Sequence, residues 1–127
     1  MEPLIISEGE STPKIILDKE KNKFEISGIS LPEDVFEFYA PVFKWIEEYV
    51  KKPNQKTELI IKFNYFNTSS SKIILEILNK LDELKKKGFD VTISWYYLEM
   101  DEDMLSTGKE FESMLTIPFT FLTYMQA

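Results

Sequence analysis

Apolar residues cluster or alternate with polar residues in two short segments near the start of the chain. These segments are residues 14–18 and 23–27, and the polar residues 19–22 lie between them. Alternation with a period of two is typical of a half-buried strand, so the pattern predicts a β-hairpin with a polar turn. Residues 1–11 have no such period, and we expect them to form a loose N-terminal arm.

Apolar residues then recur at steps of three and four over residues 35–50, which predicts an amphipathic helix. Ser30 precedes this segment and offers a hydroxyl as the helix cap, and Pro32 suits a first turn. Pro41 lies inside the segment, where a proline removes a backbone hydrogen bond. We therefore expect a kink at Pro41 or a fresh helix that begins near Ala40.

The rest of the chain alternates between strand-like and helix-like segments. The predicted strands are residues 57–66, 89–97 and 117–124, and the predicted helices are residues 71–87, ended by Gly88, and residues 101–114, interrupted near Gly108. The order β-β-α-β-α-β-α-β predicts a single α/β domain over residues 1–127, a layered sandwich with a mixed sheet of about five strands and about three helices. Because parallel strands share one carboxyl edge, the loops after Phe66 and Tyr97 should meet at the same rim.

A run of hydroxyl side chains follows Asn67, between a predicted strand and a predicted helix. The run is Thr68-Ser69-Ser70-Ser71. One member can cap a helix that begins near Ser70, because the first backbone N–H groups of a helix lack intrahelical partners, and Asn67 can shape the turn. Alternatively, one hydroxyl accepts a phosphate, which a helix N-terminus stabilises by about 0.3–1 kcal/mol. The residues alone leave both explanations open.

The composition removes several classes of function. The chain has 127 residues, of which 22 are acidic and 15 basic, a net charge of −7 and a pI near 4.7. This charge would repel nucleic acid and anionic membranes, so we expect neither as a partner. Without His or Cys, the chain lacks the commonest general base and the usual transition-metal ligands. We therefore expect a cytoplasmic protein that has no cofactor or metal and is not an enzyme, although an acid pair in an apolar cleft would indicate a small hydrolase.

Three short motifs follow one another along the chain. They are Ser11-Thr12-Pro13 near the start, Asn67-Thr68-Ser69-Ser70 between a strand and a helix, and Trp95-Tyr96-Tyr97 at the end of a later strand. In this order and at this spacing they resemble the SiaC family of bacterial regulatory phosphoproteins, over nearly the whole chain. More distantly, the layout resembles STAS domains, the fold of anti-sigma factor antagonists. The resemblance therefore implies a STAS-like sandwich.

The resemblance also implies a role for Thr68 as the phospho-acceptor. A dedicated Ser/Thr protein kinase would phosphorylate Thr68, a PP2C-like phosphatase would reverse the modification, and the unmodified protein would bind and regulate an effector. In the family that effector is a diguanylate cyclase, so this chain would regulate cyclic-di-GMP output and a biofilm-type response. The alternative is a STAS-like anti-sigma factor antagonist in a partner-switching pathway.

The candidate partner contacts are expected around the same rim. They are Asn67, Thr68, Ser69, Ser70, Tyr96 and Tyr97. At least one of the two tyrosines should face outward, because alternate strand residues face opposite sides, and exposed aromatic side chains often anchor interfaces.

Two other segments are expected to have structural roles. A turn at Ser11 and Thr12 is favoured over a second modification site. The acidic residues 99–103 lack the glycine and the ligand spacing of a calcium loop, and they suit the start of a helix.

Overall fold

A computed structural model gives the fold, and it describes residues 1–125. Within these residues the chain forms six strands and three helices. The strands are β1 (Leu4–Ile6), β2 (Lys14–Asp18), β3 (Lys23–Ser30), β4 (Lys56–Phe66), β5 (Asp90–Leu98) and β6 (Phe119–Tyr124). The helices are α1 (Val35–Tyr49), α2 (Thr68–Lys86) and α3 (Glu102–Met114). The predicted α/β class with a mixed sheet is confirmed.

The strands form one sheet whose spatial order follows the chain, β1-β2-β3-β4-β5-β6. The pairs β1–β2 and β2–β3 are antiparallel, and the strands from β3 to β6 are parallel. Because each parallel neighbour is reached by a right-handed crossover in the same direction, α1, α2 and α3 cover the same face. Phe24 of β3 packs on Trp45 of α1 with ring centroids 6.1 Å apart, and Trp95 of β5 packs on Phe111 of α3 at 5.6 Å.

The sheet contains one strand more than the sequence predicts, because β1 lies in the segment expected to be a loose arm. Ile6 pairs with Ile15 of β2, while residues 7–11 form no strand. The expectation of about five strands, and of a loose arm over Leu4–Ile6, is therefore wrong. A strand of three residues is too short to display a period of two, and it forms here because the hairpin offers an edge to pair with.

Helix α1 begins after Asp34 and passes through Pro41 as one element. The Asp34 carboxylate accepts a hydrogen bond from the Glu37 N–H at 3.1 Å, so the cap is Asp34 and not Ser30. Ser30 instead ends β3 and is buried. Pro41 is exposed, so water can solvate the helix carbonyl that loses its donor there. The alternative of a fresh helix near Ala40 is wrong.

Helix α3 is also continuous through Gly108, where the sequence predicts an interruption. A Cβ atom at Gly108 would lie 2.7 Å from the indole of Trp95 and 2.8 Å from the ring of Phe121. Gly108 therefore permits the close approach of α3 to the sheet and does not end the helix. Trp95 Nε1 donates to the Met104 carbonyl at 3.1 Å, which fixes the same contact.

The face of the sheet opposite the helices carries polar and aromatic side chains. Lys62 Nζ lies 5.8 Å from the ring centroid of Tyr96 and 4.6 Å from that of Tyr124. Asn64 donates a hydrogen bond to the Tyr124 hydroxyl at 3.2 Å. The hydrophobic core lies on the other face, under the helices, where Trp95 is fully buried. Among residues 1–125, every helix is too short or too polar to span a lipid bilayer.

Candidate functional site

Asn67 is the residue that sets the start of α2. Its Oδ1 atom accepts a hydrogen bond from the Ser70 N–H at 2.9 Å, and its own N–H donates to the Ser30 carbonyl at 3.3 Å. Its backbone is extended, with φ −88 and ψ 176, as is typical of a helix N-cap. The helix consequently begins at Thr68, earlier than the sequence predicts. Asn67 is half-buried, and a contact between Asn67 and a partner stays a prediction.

Ser70 is fully buried beneath the start of α2, although the sequence suggests it as a partner contact. Its hydroxyl donates to the Ser30 carbonyl at 3.1 Å and lies 2.8 Å from the Ser30 hydroxyl. Both contacts join α2 to the end of β3. Ser70 is therefore withdrawn from the set of partner contacts, because its hydroxyl is used inside the protein. The sequence alone could not separate it from its exposed neighbours.

The Ser30 hydroxyl connects Ser70 to a third element through Tyr39 of α1. The Tyr39 hydroxyl lies 2.7 Å from Ser30 Oγ. Either oxygen of the Ser30–Ser70 and Ser30–Tyr39 pairs can be the donor, because each hydroxyl has one proton and can also accept. Burial raises the pKa of Tyr39 to about 12, which keeps this phenol protonated. A buried chain of hydroxyls thus joins α1, β3 and α2.

Thr68 and Ser69 occupy the first turn of α2, and both are exposed. Within residues 1–125 their hydroxyls make no hydrogen bond to a protein group. The first backbone N–H groups of a helix have no intrahelical partner, so this turn attracts a negative charge. The Thr68 hydroxyl is therefore open to solvent in the same turn that holds the cap and the buried hydroxyl chain.

Lys72 is a further exposed residue on the same helix face, and it is not among the predicted partner contacts. It stands four positions after Thr68, and side chains at this spacing are neighbours on a helix surface. The first turn of α2 contains no acidic residue that would repel an anion on Thr68. The spacing of Lys72 from Thr68 was the signal available in the sequence.

Large apolar side chains are exposed around the rim that contains Thr68. They are Leu31, Phe36, Tyr65, Met100 and Met125, with exposed fractions from 39% for Leu31 to 89% for Met100. Each lies at or just after the carboxyl end of β3, β4, β5 or β6, which run parallel and therefore share this edge. Several large exposed apolar side chains along one edge make that edge a candidate interaction surface. We call these five residues the apolar rim.

A groove leads from this rim along the surface between α1 and α2. Cavities of about 250 Å³ and 520 Å³ share the side chains of Phe36, Ile73 and Glu76. Ser69 lines the smaller cavity, so the groove opens beside the first turn of α2. A molecule bound in the smaller cavity would therefore contact Ser69, the residue that follows Thr68.

Tyr96 and Tyr97 face opposite sides of the sheet. Tyr97 packs against the core on the helix side, whereas Tyr96 lies with Lys62 on the face that the helices leave uncovered. The prediction that either tyrosine lines the Thr68 loop stays untested for Tyr97. For Tyr96 the prediction loses its support, because its side chain points away from the sheet face that α2 covers.

Two other predicted features take structural roles. The Ser11 carbonyl accepts a hydrogen bond from the Leu31 N–H at 2.7 Å, and the Thr12 carbonyl accepts one from the Gly9 N–H at 3.0 Å, so this motif forms turn contacts. Asp101 caps α3 by accepting from the Met104 N–H at 3.0 Å. The prediction that the acidic residues 99–103 begin a helix is confirmed.

The fold and the rim define the class of protein: a small α/β domain with its helices on one sheet face and an exposed, hydroxyl-bearing helix start at the carboxyl edge. The family model described as SiaC family regulatory phosphoprotein matches residues 6–124. The chain therefore belongs to the SiaC family. The resemblance noted in the sequence is confirmed.

Relatives agree with this assignment. The chain is 31% identical over 119 residues, or 94% of each chain, to an uncharacterized protein of Pseudomonas aeruginosa strain UCBPP-PA14. It superposes on the crystal structure of apo-SiaC from Pseudomonas aeruginosa with a TM-score of 0.87 and 30% identity, over 96% of this chain and 99% of that one. It also superposes, with a TM-score of 0.89 and 30% identity over 95% and 99%, on a chain from the crystal structure of the diguanylate cyclase SiaD in complex with its activator SiaC.

Proposed function

We propose that this chain is a reversible switch in which Thr68 is phosphorylated by a Ser/Thr protein kinase and dephosphorylated by a PP2C-like phosphatase. The unphosphorylated form binds and regulates an effector protein, and the chain itself catalyses no reaction. The observation that carries the proposal is the contrast between Thr68, which is exposed, and Ser70, which is fully buried in the same helix turn. Modification at Thr68 leaves the buried contacts of the turn intact.

A phosphate on Thr68 has opposite effects on the fold and on a partner. It adds about −1.5 to −2 charges at a helix N-terminus, where backbone N–H groups and the nearby Lys72 stabilise an anion. A partner seated on the apolar rim would have to desolvate the same dianion, and an imperfectly paired buried charge costs several kcal/mol. Since about 1.4 kcal/mol changes an affinity tenfold, phosphorylation would release the partner while the domain stays folded.

The effector that we propose is a diguanylate cyclase, which makes the chain a regulator of cyclic-di-GMP output. Support comes from the relative SiaC, described as the activator of the diguanylate cyclase SiaD in their complex, whose fold this chain shares at a TM-score of 0.89. The alternative hypothesis, an anti-sigma factor antagonist, has no comparable support from a structural relative. If this chain captured a sigma-binding kinase instead of a cyclase, that result would favour the alternative hypothesis.

The test starts from purified protein incubated with its kinase and ATP. Intact mass and peptide mapping should place one phosphate on Thr68, and Thr68→Ala should abolish it, whereas Ser69→Ala, the matched control one residue away, should not. The cyclase from the same organism should bind the unmodified protein and Thr68→Ala, and should bind the phosphorylated protein at least about tenfold more weakly. A phosphate that persists on Thr68→Ala would overturn the assignment.

A further inference from the structure

A separate cavity of about 750 Å³ lies at the opposite edge of the sheet from Thr68. Lys19, from the turn before β3, and Lys52, from the turn before β4, both line it. Both turns precede parallel strands, so the cavity lies at the amino edge, whereas Thr68 follows β4 at the carboxyl edge. The cavity is therefore independent of the proposed phosphorylation site.

The floor of this cavity is apolar and held in place. Trp45 lines it together with Pro41 and Met1. Trp45 Nε1 donates to the Glu2 carbonyl at 2.8 Å, and the indole stacks on Tyr49 with ring centroids 5.3 Å apart and planes inclined by 16°. Only 9% of the Trp45 surface is exposed, so the indole offers a small rigid apolar patch, which Met1 and Pro41 extend into a floor that suits a ligand with a flat apolar body.

The rim of the cavity is basic in a protein that is acidic overall. Lys19, Lys44, Lys51 and Lys52 line it, although the chain carries only 15 basic residues and a net charge of −7. Lys51 pairs with Glu48 at 3.2 Å, whereas Lys19, Lys44 and Lys52 form no ion pair among residues 1–125. Glu2 is the remaining acidic residue of the lining. The three lysines are thus available to an anion.

We propose that this cavity binds a small amphipathic anion, a molecule with a flat apolar body and a carboxylate, sulfonate or phosphate group. The apolar body would lie on Trp45 and Pro41, and the anionic group would contact Lys19 and Lys52. A volume of about 750 Å³ falls in the size range of small-molecule sites, and an apolar lining with a few charged groups is their usual composition.

The probe for the test is 8-anilinonaphthalene-1-sulfonate, whose fluorescence rises on binding. Its uncharged analogue, N-phenyl-1-naphthylamine, controls for apolar contact alone. The chain variant is Lys19→Gln with Lys52→Gln, because both side chains line this cavity and neither lines the groove between α1 and α2. The matched control is Lys85→Gln with Lys87→Gln, which removes the same charge at the far end of α2.

The wild-type protein should bind one sulfonate per chain, and added salt should weaken the binding. In the cavity variant the dissociation constant should rise about tenfold, the change expected from losing two partly exposed charge contacts, and in the control variant less than about twofold. The uncharged analogue should bind both variants and wild type alike. Equal weakening in both variants would overturn the proposal, and so would a lack of saturable binding of the sulfonate probe. Displacement of the bound probe by a short polyglutamate peptide at a lower concentration than by a non-fluorescent aromatic sulfonate would also overturn it.

Discussion

The hydroxyl of Ser70 lies 2.8 Å from the hydroxyl of Ser30, a residue 40 positions earlier in the chain. The two residues belong to α2 and β3, and Tyr39 of α1 extends the contact to a third element. The first turn of α2 is therefore fixed from below, while Thr68 and Ser69 face solvent above it. This arrangement separates the residues that hold the turn from the residue that we propose is modified.

Ser70→Ala should destabilise the protein by about 1–3 kcal/mol, because it removes two buried hydrogen bonds of the Ser70 hydroxyl, while the Asn67 N–H and the Tyr39 hydroxyl remain partners of Ser30. Urea unfolding followed by circular dichroism would measure the change. Ser69→Ala in the same turn is exposed and serves as the control, with an expected change within about 0.5 kcal/mol. Equal stability of the two variants would contradict the structural role of Ser70.

Phe36→Ala should weaken binding of the effector at least tenfold, roughly, because Phe36 is 71% exposed and borders both the rim and the groove beside Ser69. Isothermal titration with the cyclase from the same organism would measure the affinity. Met114→Ala is the matched control, since Met114 is 54% exposed at the end of α3, away from the groove. A loss of affinity in the Met114 variant alone would place the interface elsewhere.

The fold was predictable where long periodic segments determine it. The segments that form β4 and α2 contain many apolar residues at the spacing of a strand and of a helix, respectively. The sequence therefore predicts the type and order of both elements correctly. The misses have local causes. β1 is too short to display a period, and Pro41 and Gly108 are residues whose helix-breaking tendency is overridden by solvent exposure in one case and by close packing on Trp95 in the other.

The site was predictable only in part, for a similar reason. The run after Asn67 correctly placed a helix start, but consecutive hydroxyls look alike in a sequence. A helix turn points Thr68 and Ser70 in different directions, and only packing against β3 decides that Ser70 is the buried one. Tyr96 and Tyr97 could be assigned opposite faces by alternation, but not the face that α2 covers.

Gly108→Ala should destabilise the protein by about 1–3 kcal/mol, although alanine is the better helix former by about 1 kcal/mol. The added methyl group would lie 2.7 Å from the Trp95 indole, so either α3 or the indole has to move. Thermal unfolding would measure the loss, and a red shift of tryptophan fluorescence would report exposure of Trp95. Ser106→Ala, an exposed position of the same helix, should instead be neutral or slightly stabilising.

Asp82 of α2 holds the segment that leads into β6. One carboxylate oxygen, Oδ1, accepts from the Thr116 N–H at 2.9 Å, the Thr116 hydroxyl at 2.7 Å and the Ile117 N–H at 3.2 Å. The other oxygen lies 3.5 Å from Lys86 Nζ. Burial alone would raise the pKa of Asp82, but the hydrogen bonds from Thr116 and the charge of Lys86 outweigh it and lower the pKa below its ordinary value of 3.8.

Because the pKa of Asp82 is lower in the folded than in the unfolded protein, its carboxylate contributes stability above pH 3.8, and that contribution disappears as the pH falls through the folded-state pKa. Asp82→Ala should therefore cost about 2–3 kcal/mol near neutral pH and progressively less in acid, as the wild-type carboxyl becomes protonated. Urea unfolding of both proteins from neutral pH down to about pH 2 would measure the difference. The matched control is Glu83→Ala, an exposed neighbour on the same helix, which should change stability little at any pH. A difference between wild type and Asp82→Ala that stays constant over this range would mean that the charge of Asp82 does not hold the segment before β6.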